Sequence, residues 1–81
     1  MKARIEVRLK RGILDPQGKA IGGALGGLGY AGLGEVRQGK LIEIDLPGLT
    51  DRAAAQAHVE AMCKTLLANP VTEDFKVDLS D

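Results

Sequence analysis

Side chains suited to nucleophilic or acid–base chemistry are scarce in this 81-residue chain, where His58 is the single histidine and Cys63 the single cysteine. Five residues apart on one helix, the two stand about 500° apart around the axis, so they do not share a face and no Cys-His pair is expected. Cys63 falls in an apolar stripe, where a thiol packs as a small inert hydrophobe. His58 is expected on a solvated face with no second base or ligand beside it. No grouping of His, Cys, Asp and Glu has metal-ligand spacing, so neither a metal site nor a catalytic residue is expected. Lys19 and Lys40 read as surface charges, with anion binding as the alternative. A single cysteine cannot close an internal disulfide, in keeping with a reducing compartment.

Two glycine motifs invite a nucleotide reading. Gly34-Glu35-Val36-Arg37-Gln38-Gly39-Lys40 matches the first seven positions of a phosphate-binding loop, but the eighth is Leu41, which has no hydroxyl for magnesium. Its context is also wrong, because such a loop follows a strand and opens a helix. Gly27-Leu28-Gly29-Tyr30-Ala31-Gly32 spells G-x-G-x-x-G but follows a helix, so it cannot bring pyrophosphate to a helix N-terminus.

Composition narrows the classes further. Eleven Lys and Arg balance eleven Asp and Glu, leaving no global positive field to hold a phosphate backbone, and Tyr30 and Phe75 are too few rings for base stacking. Nucleic-acid binding is not expected. No apolar run approaches the ~20 residues that span a bilayer, and the N-terminus alternates charge with hydrophobe, unlike a signal peptide. The expectation is a cytoplasmic protein with no membrane contact. At this length there is room for one domain with a modest core, spanning residues 1–81, and small size itself favours oligomerisation.

The elements that would position any site follow from periodicity. Ala3, Ile5, Val7 and Leu9 alternate with charged residues, the signature of a strand with one buried face. Asp15 then reads as N-cap and Pro16 as the first residue of a helix running to about Leu28, with Ile21, Ala24, Leu25 and Leu28 forming its apolar stripe and Gly29 stopping it. Gly18, Gly22 and Gly26 recur along one side of this helix. That row fits either a poor helix rescued by core packing or a close subunit contact. Glu35-Val36-Arg37 and the alternating Ile42, Ile44 and Leu46 read as two strands joined by a Gln38-Gly39 hairpin turn. Thr50 or Asp51 caps a second helix with the stripe Val59, Met62, Cys63, Leu66 and Leu67, closed by Asn69-Pro70. Phe75, Val77 and Leu79 give a last strand.

This β-α-β-β-α-β order folds most simply into an α+β, ferredoxin-like, four-stranded antiparallel sheet of order 4-1-3-2 with both helices on one face. Basic residues Arg4 and Arg8 of the first strand would then lie between Glu43 and Asp45 of the third and Asp74 and Asp78 of the fourth, a favourable cross-strand pattern. Such a face needs no ligand, and a partner could equally cover it.

Several stretches together resemble a known family: Leu14-Asp15-Pro16-Gln17-Gly18, Leu28-Gly29-Tyr30, Val36-Arg37-Gln38-Gly39-Lys40, Met62-Cys63-Lys64, and Leu66 through Phe75. In this order and spacing they are similar to PurS, the small subunit of phosphoribosylformylglycinamidine synthase, over almost the whole chain. Gly22, Gly23, Gly26 and Gly27 depart from it, standing where relatives usually carry larger residues. The resemblance implies de novo purine synthesis, in which the assembled ligase uses ATP and glutamine to convert formylglycinamide ribonucleotide to its amidine. It implies a homodimer or homotetramer that bridges a large synthetase subunit and a glutaminase subunit and assists ammonia transfer. No cofactor is then expected in this chain, ATP and magnesium belonging to the large subunit.

Asp15, Pro16, Gln17 and Gly18, with Arg37, Gly39 and Lys40, are the candidate partner contacts, being polar or glycine-containing and outside the expected core. Their purely structural alternative is a helix cap and a hairpin turn. A second function class stays open: the same element order serves amino-acid-sensing regulatory domains, for which Gly26 to Gly32 would edge the pocket. A phosphatase of this fold would need an arginine and an asparagine facing one anion, and the Arg11-Gly12 loop offers no such pair.

Overall fold

In a computed structural model of residues 1–81, the alternation at the N-terminus becomes strand β1 (Lys2–Leu9), with Ala3, Ile5 and Val7 buried and Lys2, Arg4 and Arg8 turned to solvent. β1 is the central strand. It pairs antiparallel with β2 (Lys40–Asp45) on one side and β3 (Glu73–Ser80) on the other, giving the order β2-β1-β3. The register sets Arg4 opposite both Glu43 and Asp78 and Arg8 opposite Asp74, so the outer face carries the expected complementary charges.

The two helices follow their caps. Helix α1 (Pro16–Gly27) starts at Asp15, whose side chain accepts the Gly18 N–H, and Gly29 beyond its end takes a φ of +98° that favours glycine. Helix α2 (Arg52–Met62) is capped by Asp51, which accepts the Ala53 N–H at 3.0 Å. Val59 and Cys63 pack with Ala3, Ile5, Val7 and Ala68 as the core, bordered by Phe75, Val77 and Leu79 of β3 and Ile42 and Ile44 of β2. Complete burial of Ile5, Val7 and Val59 contributes about 1.5–3 kcal/mol each.

Three expectations are corrected. The sheet has three strands, not four. The expected third and fourth strands are present as β2 and β3, in the expected places beside β1, but Glu35-Val36-Arg37 joins no strand and the Gln38-Gly39 hairpin does not form. The segment is held against the start of α1 and not against β2: the Gln38 N–H goes to Asp15, and the Val36 carbonyl lies against Gly18.

The helices also do not share one face of the sheet. α2 lies on it, whereas α1 leaves from its capped end and buries only Gly18. Its stripe stays open, with Ile21 40% and Leu28 75% exposed. The radius of gyration is accordingly 16.2 Å, against roughly 12 Å for a compact chain of this length.

Finally, Leu66 is not in the apolar stripe of the second helix. After Met62 the helix continues as a π-turn (Cys63–Leu67), closed by the Ala68 N–H on the Cys63 carbonyl at 2.9 Å. The extra residue in that turn swings Leu66 outward, where it is 83% exposed.

Candidate functional site

The helix start and the segment before β2 meet at one end of the sheet. Asp15 is the joint. One carboxylate oxygen accepts the Gly18 N–H at 2.8 Å and the other accepts the Gln38 N–H at 2.7 Å. These two backbone donors, the Gln38 bond first, hold its carboxyl below the usual carboxylate range, outweighing the opposing effect of burial. Pro16 supplies the first helical residue, and Gln17 beside it is exposed.

Two glycines are fixed by close backbone approach. A Cβ on Gly18 would collide with the Val36 carbonyl oxygen, and one on Gly39 would sit 2.6 Å from the Val7 carbonyl oxygen. Between them Arg37 spans the end of β1, donating to the carbonyls of Ile13 at 3.1 Å, Lys10 at 3.1 Å and Leu9 at 3.5 Å and to Glu35 at 3.0 Å. Its fork thus shapes the Lys10–Ile13 loop. Lys40 opens β2 opposite Val7.

All seven candidate residues therefore converge. Asp15, Pro16, Gln17, Gly39 and Lys40 line one cleft of about 300 Å³, while Gly18 and Arg37 line its neighbour of about 280 Å³ together with Asp15. A broader polar cleft of about 850 Å³ opens beyond Arg37 and adds Arg8, Arg11 and Asp74. Sequence reasoning missed Gln38 as the partner of Asp15 and Arg8 and Arg11 as part of this region. The alternation of β1 shows which residues face outward but not which loop lies beside them. The Gly26 to Gly32 stretch lines none of the five principal depressions.

Elsewhere the chemistry is muted. Cys63 is fully buried, and burial, with Glu60 adding to it, pushes its thiol pKa up. His58 is exposed. No three of the His, Cys, Asp and Glu side chains converge as a metal site, and no helix is long and apolar enough to cross a membrane.

A family model for PurS, described as phosphoribosylformylglycinamidine (FGAM) synthase, matches residues 2–81. The chain belongs to the PurS family. Among curated PurS subunits, that of Mycobacterium leprae is 42% identical over 76 residues, covering 94% of this chain and 91% of the relative, and that of Methanocaldococcus jannaschii is 41% identical with 94% and 90% covered. Solved PurS structures share the fold: the Bacillus subtilis protein superposes with a TM-score of 0.88 at 35% identity, covering 99% and 98% of the two chains. The M. jannaschii protein, described as a subunit of formylglycinamide ribonucleotide amidotransferase in the purine biosynthetic pathway, gives 0.87 at 38%, covering 99% and 95%. The three-stranded arrangement with a detached α1 thus accompanies strong likeness to PurS chains of known structure.

Proposed function

We propose that this chain is the small, non-catalytic subunit of a glutamine-dependent phosphoribosylformylglycinamidine synthase, working in the cytoplasm between a large synthetase subunit and a glutaminase subunit. The near full-length match to PurS carries this reading. Ammonia released at a glutaminase is lost to protonation and diffusion unless the second site is close and water is restricted, so a rigid bridge raises flux without chemistry of its own. ATP and magnesium act in the large subunit. The exposed members of the seven convergent residues, Pro16, Gln17, Arg37, Gly39 and Lys40, form the region of this chain that meets the other subunits, with Asp15 and Gly18 buried beneath them.

The bridge is itself an oligomer, a homodimer or homotetramer. A single chain leaves the α1 stripe without a partner and the β2 side of the sheet's inner face only partly covered, with Ile42 and Ile44 half-buried. Exchange of α1 between two copies covers both surfaces at once and offers the position beside β2 for a fourth strand.

The test is amidine formation by the large and glutaminase subunits with and without this chain, using glutamine or ammonium chloride as nitrogen source. Glutamine-dependent activity should require the chain and ammonia-dependent activity should not. Independence of the chain in both assays refutes the reading.

A further inference from the structure

In a chain of zero net charge, three arginines converge on one cleft at one end of the sheet. Arg8, Arg11 and Arg37 line the 850 Å³ cleft, Lys40 lines the adjoining cleft that shares Gln38 and Gly39 with it, and Lys10 lines another that shares Asp74. The local carboxylates are largely engaged. Asp15 accepts two backbone N–H groups, Glu35 takes Arg37, and Glu73 accepts the Asn69 N–H at 2.8 Å. Asp74 remains, opposite Arg8 in the strand register. Lys10, Arg11 and Lys40 pair with no carboxylate, and Arg8 has only an exposed contact to Glu6 at 3.5 Å.

The broad cleft has a single apolar residue, Leu9, among its nine lining residues and no aromatic ring, so a nucleobase or apolar ligand has nothing to bury against. Its chemistry is oxyanion recognition by guanidinium groups. Apolar relief adjoins it. The Lys10 N–H bonds the Thr72 carbonyl at 2.9 Å, tying the basic loop to the turn that carries Val71, 77% exposed, downstream of the protruding Leu66. An exposed apolar residue beside a charged rim fits a protein interface, and a free anion would leave Val71 unused.

We propose that this end is a docking surface for a carboxylate-bearing face of a partner subunit, with Arg8 and Arg11 receiving the carboxylates and Val71 seating in an apolar contact. The proposal rests on the subunit reading above and extends its contact region to Arg8, Arg11 and Val71.

The experiment follows assembly of the full chain with the large and glutaminase subunits by sedimentation velocity across a salt series. Combined Arg8→Glu and Arg11→Glu should weaken assembly about tenfold or more and flatten its dependence on salt. The Arg8→Lys, Arg11→Lys pair, which keeps the charge and loses the guanidinium fork, should keep the native salt dependence and recover part of the affinity, and Lys2→Glu, the same charge change at the far end of β1, should leave it intact. Arg11→Ala, on an exposed loop, repeats the measurement in milder form should the double reversal misfold. Inorganic phosphate should compete no better than chloride at equal ionic strength. Unchanged affinity and salt dependence in well-folded variants overturns the proposal while leaving the subunit reading standing. Specific competition by phosphate, or loss of the homo-oligomer in place of subunit binding, also overturns it. Failure of the unaltered chain to join the other subunits overturns both.

Discussion

Asp15 and Gln38, 23 residues apart, are joined by a 2.7 Å hydrogen bond from the Gln38 amide to the carboxylate that also caps α1. One side chain thereby fixes both the start of the helix and the entry into β2. Replacing it by alanine removes the acceptor for two amides, one of them buried, and is expected to lower Tm by roughly 5–10 °C. Asp15→Asn keeps one acceptor and should fall between.

The same bonds make stability depend on acid. The carboxyl of Asp15 is held below its ordinary value of 3.8, so its contribution is complete above that value and is lost as pH falls through the lower folded value. Denaturant titrations of the native chain should show stability declining below about pH 4. In Asp15→Asn that part of the decline should vanish, and an identical acid profile in the two proteins would contradict the assignment.

The glycines of α1 should separate into two kinds. Gly18→Ala forces a methyl into the Val36 carbonyl and should destabilise the chain by about 1–3 kcal/mol. Gly23→Ala meets nothing within 4 Å and has a helical backbone, so it should stabilise by about 0.5–1 kcal/mol through helix propensity. Equal effects in thermal melts would show that close approach at Val36 is not what fixes Gly18.

Arg37 was legible as the end of an expected strand and a candidate contact, not as a clamp. Its three carbonyl partners lie at the end of β1 and in the next loop, and no local pattern announces contacts at that distance. The same limit explains the missing hairpin. Three alternating residues before Gln38-Gly39 satisfy the local rule for a strand, while the partners that decide the matter sit near Gly18 and Asp15. By contrast β1, β3, the Asp15 cap and most of α2 were readable, because their periodicity runs for several residues and their caps are adjacent in sequence. Leu66 escaped because a π-turn leaves no composition signal.

Arg37→Met should therefore loosen the Lys10–Ile13 loop. Loss of its partly exposed bonds is expected to cost about 1–2 kcal/mol, with faster amide exchange at Arg11 and Gly12. Arg37→Lys reaches fewer carbonyls from a single ammonium and should recover only part of the loss.

Helix α1 stands apart from the core. None of the core residues comes from this helix, so Ile21→Lys with Leu25→Lys should leave the strand signal and the α2 packing of the isolated chain unchanged. What the substitutions remove is the apolar stripe that a second copy would cover. Sedimentation equilibrium should show the native chain as a dimer or tetramer and the variant as a monomer of about 8.5 kDa. Cys63 supplies the internal control: fully buried, with its thiol pKa raised, it should resist a thiol reagent in both proteins until denaturant is added. A variant with reactive Cys63 has lost its core. A variant with protected Cys63 and the native oligomer mass would show that α1 is not the element exchanged between copies.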